Sequence, residues 1–270
     1  MPTLDIGATT LYYEDEGPRD APALVFSHSL FFDQRMYDAQ ASAFSDRFRV
    51  VRYDHRGQGQ SARAPREQLD MDTLTEDAAR LIEELELTPA VFFGNSMGGF
   101  VALRLAARRP DLLSGVVVAG TSAAPEGRVE EFDQVVDGIA ANGIAPLLDI
   151  VTHIMLGDTT MNDPSRADLL SETRDRMAAL DSDIADAAWQ VVHREGILDE
   201  LPNIRIPVAV LAGAEDHAYD VALSEQIHEL TPESTMTVVE RVGHSVALED
   251  PETTNRHVSE LIERAAVGQT

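Results

Sequence analysis

The sequence predicts an α/β fold: a mostly parallel eight-stranded sheet with helices on both faces, interrupted by a helical cap insertion. Three observations predict it. Short continuous apolar runs, such as Ala23-Leu24-Val25-Phe26 and Val116-Val117-Val118-Ala119, read as strands covered on both faces. Helical patterns alternate with them, as parallel crossovers require. From about Glu126 to Asn203 the strand-like runs stop and only helical patterns remain. The 270 residues thus divide into a core of 1–125 and 204–270 and a helical cap of 126–203.

Taken in order, Thr3 to Ile6 and Thr10 to Glu16 alternate apolar and polar side chains, the pattern of two antiparallel strands. Ala23 to Phe26 is the first buried strand. A helix over Gln34 to Ser45 leads to the strand Val50 to Tyr53 and a glycine-rich loop, Asp54-His55-Arg56-Gly57-Gln58-Gly59-Gln60-Ser61. Thr73 to Leu87 forms an amphipathic helix, with Thr73 as N-cap and Glu76 at capping-box spacing. Pro89 punctuates before the strand Ala90 to Phe93. The next helix ends in Arg104, Arg108 and Arg109, which suit a helix C-terminus, and Pro110 stops it. In the insertion, Val135, Val136, Ile139, Leu147, Leu148, Ile150, Val151, Ile154 and Met155 supply apolar faces. After Pro207 the rhythm resumes: strand Val208 to Ala212, helix Asp220 to Leu230, strand Met236 to Val239, and a helix from about Pro251 to Ala266.

The stretch Val91-Phe92-Phe93-Gly94-Asn95-Ser96-Met97-Gly98-Gly99-Phe100 carries the chemistry. Gly94, Ser96 and Gly98 match the nucleophile elbow, Gly-x-Ser-x-Gly. A serine pushed out at such a turn sits in strained backbone, so its neighbours two positions away must lack bulk. The helix beginning beneath it aims N–H groups and positive dipole at any oxyanion formed there.

A serine hydroxyl needs an oriented base to become a nucleophile. Functional groups in an open parallel sheet collect at the strands' carboxyl ends, and among eight histidines this selects His244, just past the last strand. His28 sits in the turn expected to form the oxyanion pocket, and His55 lies in the glycine-rich loop. His153, His193, His228 and His257 fall in helical patterns, as surface or packing residues. Asp216 follows the penultimate strand, next to His217 and with Glu215 and Asp220 as competitors, and gives the chain order Ser, Asp, His. Two convergent amides complete the site: Met97, directly after the serine, and Leu30 in Ser27-His28-Ser29-Leu30-Phe31.

Nearly the whole chain resembles the α/β-hydrolase superfamily, and within it the cofactor-free bacterial group of 3-oxoadipate enol-lactonase and related esterases. The likeness lies in Phe26-Ser27-His28-Ser29-Leu30-Phe31-Phe32-Asp33, in Arg52-Tyr53-Asp54-His55-Arg56-Gly57-Gln58-Gly59-Gln60-Ser61, in Gly94-Asn95-Ser96-Met97-Gly98-Gly99 and in Gly243-His244-Ser245. The resemblance implies Ser96 as nucleophile, His244 as base, Asp216 as its orienting acid, the amides of Leu30 and Met97 as oxyanion donors, and a helical cap over the site. Two departures stand out. His28-Ser29 replaces the His-Gly of many relatives, narrowing the mouth of the pocket. Arg128, Arg166, Arg174, Arg176, Arg194 and Trp189 sit in no motif that matches the basic and tryptophan contacts of a dicarboxylate lactonase, and read mostly as solvated helix faces.

Composition narrows the partners. The net charge is −26, and all 21 basic residues are arginine. Such a surface repels nucleic acid and anionic membranes and works against a multiply anionic substrate. There is no cysteine, hence no disulfide or thiolate chemistry. No signal peptide and no membrane-spanning run is apparent, which makes the cytoplasm the default. Neither cofactor nor metal is expected, since no clustered His/Asp ligand spacing occurs in the sequence. The expected partner is a small ester or lactone, with homo-oligomer formation left open.

These readings converge on hydrolysis of a carboxylic ester or lactone through an acyl-enzyme. The rivals are carbon–carbon hydrolysis of ring-cleavage products, cofactor-free perhydrolysis, and a non-catalytic ligand-binding protein on the same fold. Dehalogenases and epoxide hydrolases are disfavoured because position 96 is serine, not aspartate.

Overall fold

The computed structural model describes residues 2–267. Its eight strands are β1 (Thr3–Asp5), β2 (Thr10–Glu16), β3 (Ala23–Ser27), β4 (Arg49–Tyr53), β5 (Ala90–Asn95), β6 (Leu113–Ala119), β7 (Val208–Gly213) and β8 (Ser234–Val239). They form one sheet in the order β1-β2-β4-β3-β5-β6-β7-β8. β1 with β2 and β2 with β4 are antiparallel; every later pairing is parallel. All residues of β3, β5 and β7 are buried, as their apolar runs demand, and β4 is buried too, with Arg49 and Arg52 in ion pairs to Asp15, Glu16 and Asp38.

The core helices are α1 (Asp38–Phe44), α2 (Met71–Glu84) and α3 (Met97–Arg108). The central helix α3 packs across β3, β5 and β6 and carries α2 alongside. Between β6 and β7 run α4 (Val129–Asn142), α5 (Leu148–Met155), α6 (Asp158–Asn162), α7 (Ala167–Ala178) and α8 (Ile184–Val192). The chain closes with α9 (Val221–Leu230), α10 (Val246–Glu249) and α11 (Pro251–Val267). α9 lies on β7 and β8, while α11 packs on β6 and β7 with α1 against it. Among the described residues no helix is long and apolar enough to cross a membrane.

Two helix readings are corrected. The segment expected as one helix over Gln34–Ser45 starts as a 3₁₀ turn, Gln34–Tyr37, capped by the Asp33 carboxylate, and only then becomes α1. The helix expected from Thr73 begins at Met71 and ends at Glu84. Asp70 wins the cap, because its carboxylate takes the amides of Asp72 and Thr73 at 3.1 and 2.9 Å, leaving Thr73 inside the first turn. Arg104 and Arg108 do more than sit at a helix end: both hold Asp72, at 3.0 and 2.7 Å, and so lock α3 to α2.

Candidate active site

Ser96 stands between β5 and α3 with φ 51° and ψ −112°, a conformation uncommon for a residue with a side chain. The surroundings impose it. A Cβ on Gly94 would lie 2.0 Å from the carbonyl oxygen of Gly98, and one on Gly98 would lie 2.0 Å from that of Ser27. Both glycines are therefore fixed by backbone-to-backbone contact that no side chain could yield to. The strained turn is anchored by Ser96 N–H to Ala119 O (2.9 Å) and by the Thr121 hydroxyl donating to Ser96 O (3.0 Å). The helical ladder begins with Phe100 N–H to Ser96 O (3.0 Å), so the amides of Met97, Gly98 and Gly99 precede it and point out of the helix start.

His244 lies in the loop between β8 and α10. Its Nδ1 is 2.9 Å from Asp216 Oδ2 and 3.1 Å from Oδ1, and both side chains are almost wholly buried, at 2 % and 1 % exposure. Asp216 is aimed by its own loop, its Oδ1 accepting Ala218 N–H (2.8 Å) and Tyr219 N–H (2.9 Å). The competing carboxylates are occupied elsewhere. Glu215 takes the amide and hydroxyl of Thr159, at 2.6 and 2.7 Å, and Asp220 caps α9. With Nδ1 turned to Asp216, the other face of the ring opens on a cavity that Ser96 also lines. Among the described residues no hydrogen bond yet joins the ring to the Ser96 hydroxyl; such contacts commonly tighten only when substrate is bound.

The turn after β3 faces the same cavity through Leu30 and Phe31. Phe32 N–H closes it on Ser29 O (3.2 Å), and Phe31 holds φ 68°, where such turns favour glycine. A buried imidazole pair supports the strain. His28 Nε2 accepts the His55 amide (3.0 Å), which places its proton on Nδ1, from where it donates to Ser29 O (2.8 Å). His55 Nε2 meets the Ser27 hydroxyl at 2.9 Å, and burial, with His28 alongside, holds the His55 pKa well below the usual range, so the ring stays neutral. Asp54 links this turn to the glycine-rich loop by accepting Gln34 N–H (2.8 Å) and Gln60 N–H (2.7 Å).

Sequence reasoning missed Glu249 and misread Arg194. Glu249, 5 % exposed, accepts the amides of Gly243 (3.1 Å) and Ser245 (3.2 Å) on one oxygen and those of Gly157 and the Thr160 hydroxyl (2.9 and 2.6 Å) on the other. It thereby ties the His244 loop to the α5–α6 junction; burial outweighs these four donors and raises its pKa. Arg194, read as a solvated helix face, is instead buried, its guanidinium between the rings of Phe100 and Tyr219 and 3.3 Å from Glu126. Glu126 and Tyr219 both line the cavity. Arg128 stays exposed as expected, while Arg174 and Arg176 are half-buried; the three pair with Glu131, Asp149 and Glu172.

The cavity is otherwise apolar. Phe132, Val135, Val136 and Ile139 of α4, Ile154 and Met155 of α5, and Ala188, Val191 and Val192 of α8 line it opposite Ser96 and His244. Its volume is about 60 Å³. A larger open hollow of about 840 Å³ lies at the other end of the sheet, among Pro22, Phe48, Pro89 and Ile262 at the strands' amino ends, far from this chemistry.

Residues 22–251 match the model of the alpha/beta hydrolase fold family. A 3-oxoadipate enol-lactonase of Acinetobacter baylyi is 29% identical over 263 residues, which cover 97% of this chain and 96% of that one. The crystal structure of the enol-lactonase of Burkholderia xenovorans superposes with a TM-score of 0.88 at 27% identity, covering 97% of this chain and all (100%) of that one. A thermophilic esterase of Thermogutta terrifontis gives a TM-score of 0.86 at 25% identity, with 95% and 94% covered.

Proposed function

The chain belongs to the α/β-hydrolase family, and we propose that it is a serine hydrolase that cleaves a carboxylic ester or lactone through an acyl-enzyme. The observation that carries this reading is the Asp216–His244 contact at 2.9 Å behind a cavity that His244 shares with Ser96. Substrate enters with its carbonyl carbon at Ser96 Oγ. His244 Nε2 takes the hydroxyl proton as the oxygen attacks, and Asp216 stabilises the imidazolium through Nδ1–H. The oxyanion is met by the amides of Met97 and Leu30. His244 returns the proton to the leaving alkoxide, and water then attacks the acyl-enzyme by the same route in reverse. In a lactone the leaving alkoxide stays on the acyl group, so no second product departs at this stage.

The helices from α4 to α8 act as a cap that supplies the acyl-binding wall. A cavity of about 60 Å³ is small beside ligand sites of roughly 300–1,000 Å³. It suits a short apolar acyl group, and a longer one requires the cap to shift. Arg194 offers no free cation for a second carboxylate, because Glu126 neutralises it at the wall. This favours neutral esters and lactones over a dicarboxylate enol-lactone.

A fluorophosphonate probe tests the mechanism: it should label the protein at Ser96, and Ser96→Ala should abolish labelling. A panel of short and long p-nitrophenyl esters and simple lactones tests the substrate class. Turnover confined to vinylogous diketones would overturn the ester reading in favour of carbon–carbon hydrolysis.

A further inference from the structure

Outside the cavity, the fold gathers a second set of chemistry-bearing side chains. His153 lies in the last turn of α5, Asp158 is the first residue of α6, and His217 follows Asp216 in the loop after β7. His217 Nε2 is 3.2 Å from Asp158 Oδ1, and His153 Nδ1 is 3.9 Å from that same oxygen. One ligand atom from each residue lies within 4.8 Å of the other two. The two imidazole rings stack, with centroids 4.0 Å apart and planes at 28°.

We propose that His153, Asp158 and His217 bind one divalent transition-metal ion of the zinc type, through two imidazole nitrogens and one carboxylate oxygen. Zinc–ligand bonds of about 2.0–2.2 Å place tetrahedral donors roughly 3.3–3.5 Å apart. The separations from Asp158 Oδ1 straddle that range, and binding requires the stacked rings to turn out of parallel so that both nitrogen lone pairs meet the ion. Two nitrogens and one oxygen suit zinc, copper or nickel, and not calcium or magnesium, which require oxygen ligands. His153 and Asp158 are more than half exposed, at 53% and 63%, so water has access to the fourth position.

No net proton is released when both rings are neutral. The Nε2 proton that His217 now gives Asp158 moves to Nδ1 as the metal takes Nε2. Arg128, which donates to His217 O at 2.8 Å, is a nearby cation that opposes binding, while the net charge of −26 draws divalent cations towards the whole surface.

The ion would fasten three elements that meet only in the tertiary structure. Ile154 and Ala218, the neighbours of His153 and His217, both line the cavity beside Ser96. A bound ion therefore stiffens the seam between α5 and the Asp216 loop without touching the reacting atoms, and the inference stands whether or not the hydrolase reading holds.

Chelator-treated full-length protein is titrated with ZnCl₂ while thermal unfolding is followed, and with CoCl₂ while the visible spectrum is recorded. Zinc should raise Tm by about 2–5 °C at saturation, and cobalt should give the intense visible bands of a low-coordinate nitrogen–oxygen site. His153→Ala and Asp158→Asn, both surface changes, should each weaken binding by about tenfold or more. His193→Ala, whose ring pairs instead with Asp133 at 2.9 Å, should bind as wild type. Absence of any zinc-dependent shift up to millimolar metal, or an undiminished shift in His153→Ala, would overturn the proposal.

Discussion

Glu249 sits behind His244: its Oε1 accepts the amide N–H groups of both flanking residues, Gly243 and Ser245, at 3.1 and 3.2 Å. Its other oxygen reaches Gly157 and Thr160, at 2.9 and 2.6 Å. Glu249→Ala leaves these donors buried without acceptors, so a stability loss on the order of 3 kcal/mol is expected, with a fall in kcat from a loosened His244 loop. Glu249→Gln keeps one carbonyl oxygen and should lie between. Urea unfolding and ester turnover measured on both variants check this ordering.

Asp216 fixes which nitrogen of His244 carries the proton. Asp216→Asn preserves the shape of the site but can present its N–H₂ to Nδ1, turning the wrong tautomer towards Ser96. A drop in kcat on the order of 10³–10⁴, with KM little changed, is expected. Steady-state kinetics on a p-nitrophenyl ester read it out, and a drop below tenfold would count against the assigned base.

Gly98→Ala should be among the most damaging single-methyl changes. The added carbon would meet the Ser27 carbonyl oxygen at 2.0 Å, so either β3 or α3 must move. A loss of about 3 kcal/mol or more, or failure to fold, is expected. Gly127→Ala, with nothing within 4 Å of the new carbon, should stay within about 0.5 kcal/mol of wild type. Thermal unfolding of the two variants side by side makes the comparison.

His55 makes stability depend on pH. Burial holds its pKa well below the usual 6.5, so the unfolded chain takes up a proton that the folded one refuses. Its contribution is therefore complete above pH 6.5 and is lost as pH falls below that value, by up to about 1.4 kcal/mol per pH unit. The slope of stability between pH 7.5 and 5.5 should be shallower in His55→Gln than in wild type; parallel slopes would refute it.

Arg194 and Glu126 form a buried pair, with side chains 2 % and 5 % exposed. Arg194→Met alone should cost about 3–5 kcal/mol, because it removes the guanidinium that pairs with Glu126 in the buried cavity wall. The double variant with Glu126→Gln should recover much of that. Glu126→Gln alone, which frees the Arg194 guanidinium, should accept anionic acyl groups better than wild type, which ester panels with and without a terminal carboxylate would detect.

Much of this protein is written locally. The continuous apolar runs of β3, β5, β6 and β7 can only be strands covered on both faces, and they alternate with helices as a parallel sheet requires. The spacing Gly94, Ser96, Gly98 marks the elbow because its cause, close backbone approach within a few residues, is itself local. The pairing of His244 with Asp216 was legible for a related reason: each lies just past a strand whose carboxyl end the topology fixes. The misplaced cap at Thr73 was likewise a local matter, since Asp70, three residues earlier, takes the cap instead.

What sequence could not supply is any relation in which a polar residue meets a partner distant along the chain. Glu249 meets Gly157 across 92 positions, and Arg194 meets Glu126 across 68. His217 meets Asp158 across 59, which is why no ligand spacing showed in the sequence. In a chain with 47 acidic residues a buried carboxylate looks like any solvated one until its neighbours are known. Local pattern determined the elements and the strand ends where chemistry gathers. Only the folded packing decided which charges are withdrawn from water, because desolvation belongs to the assembled surroundings and not to the residue.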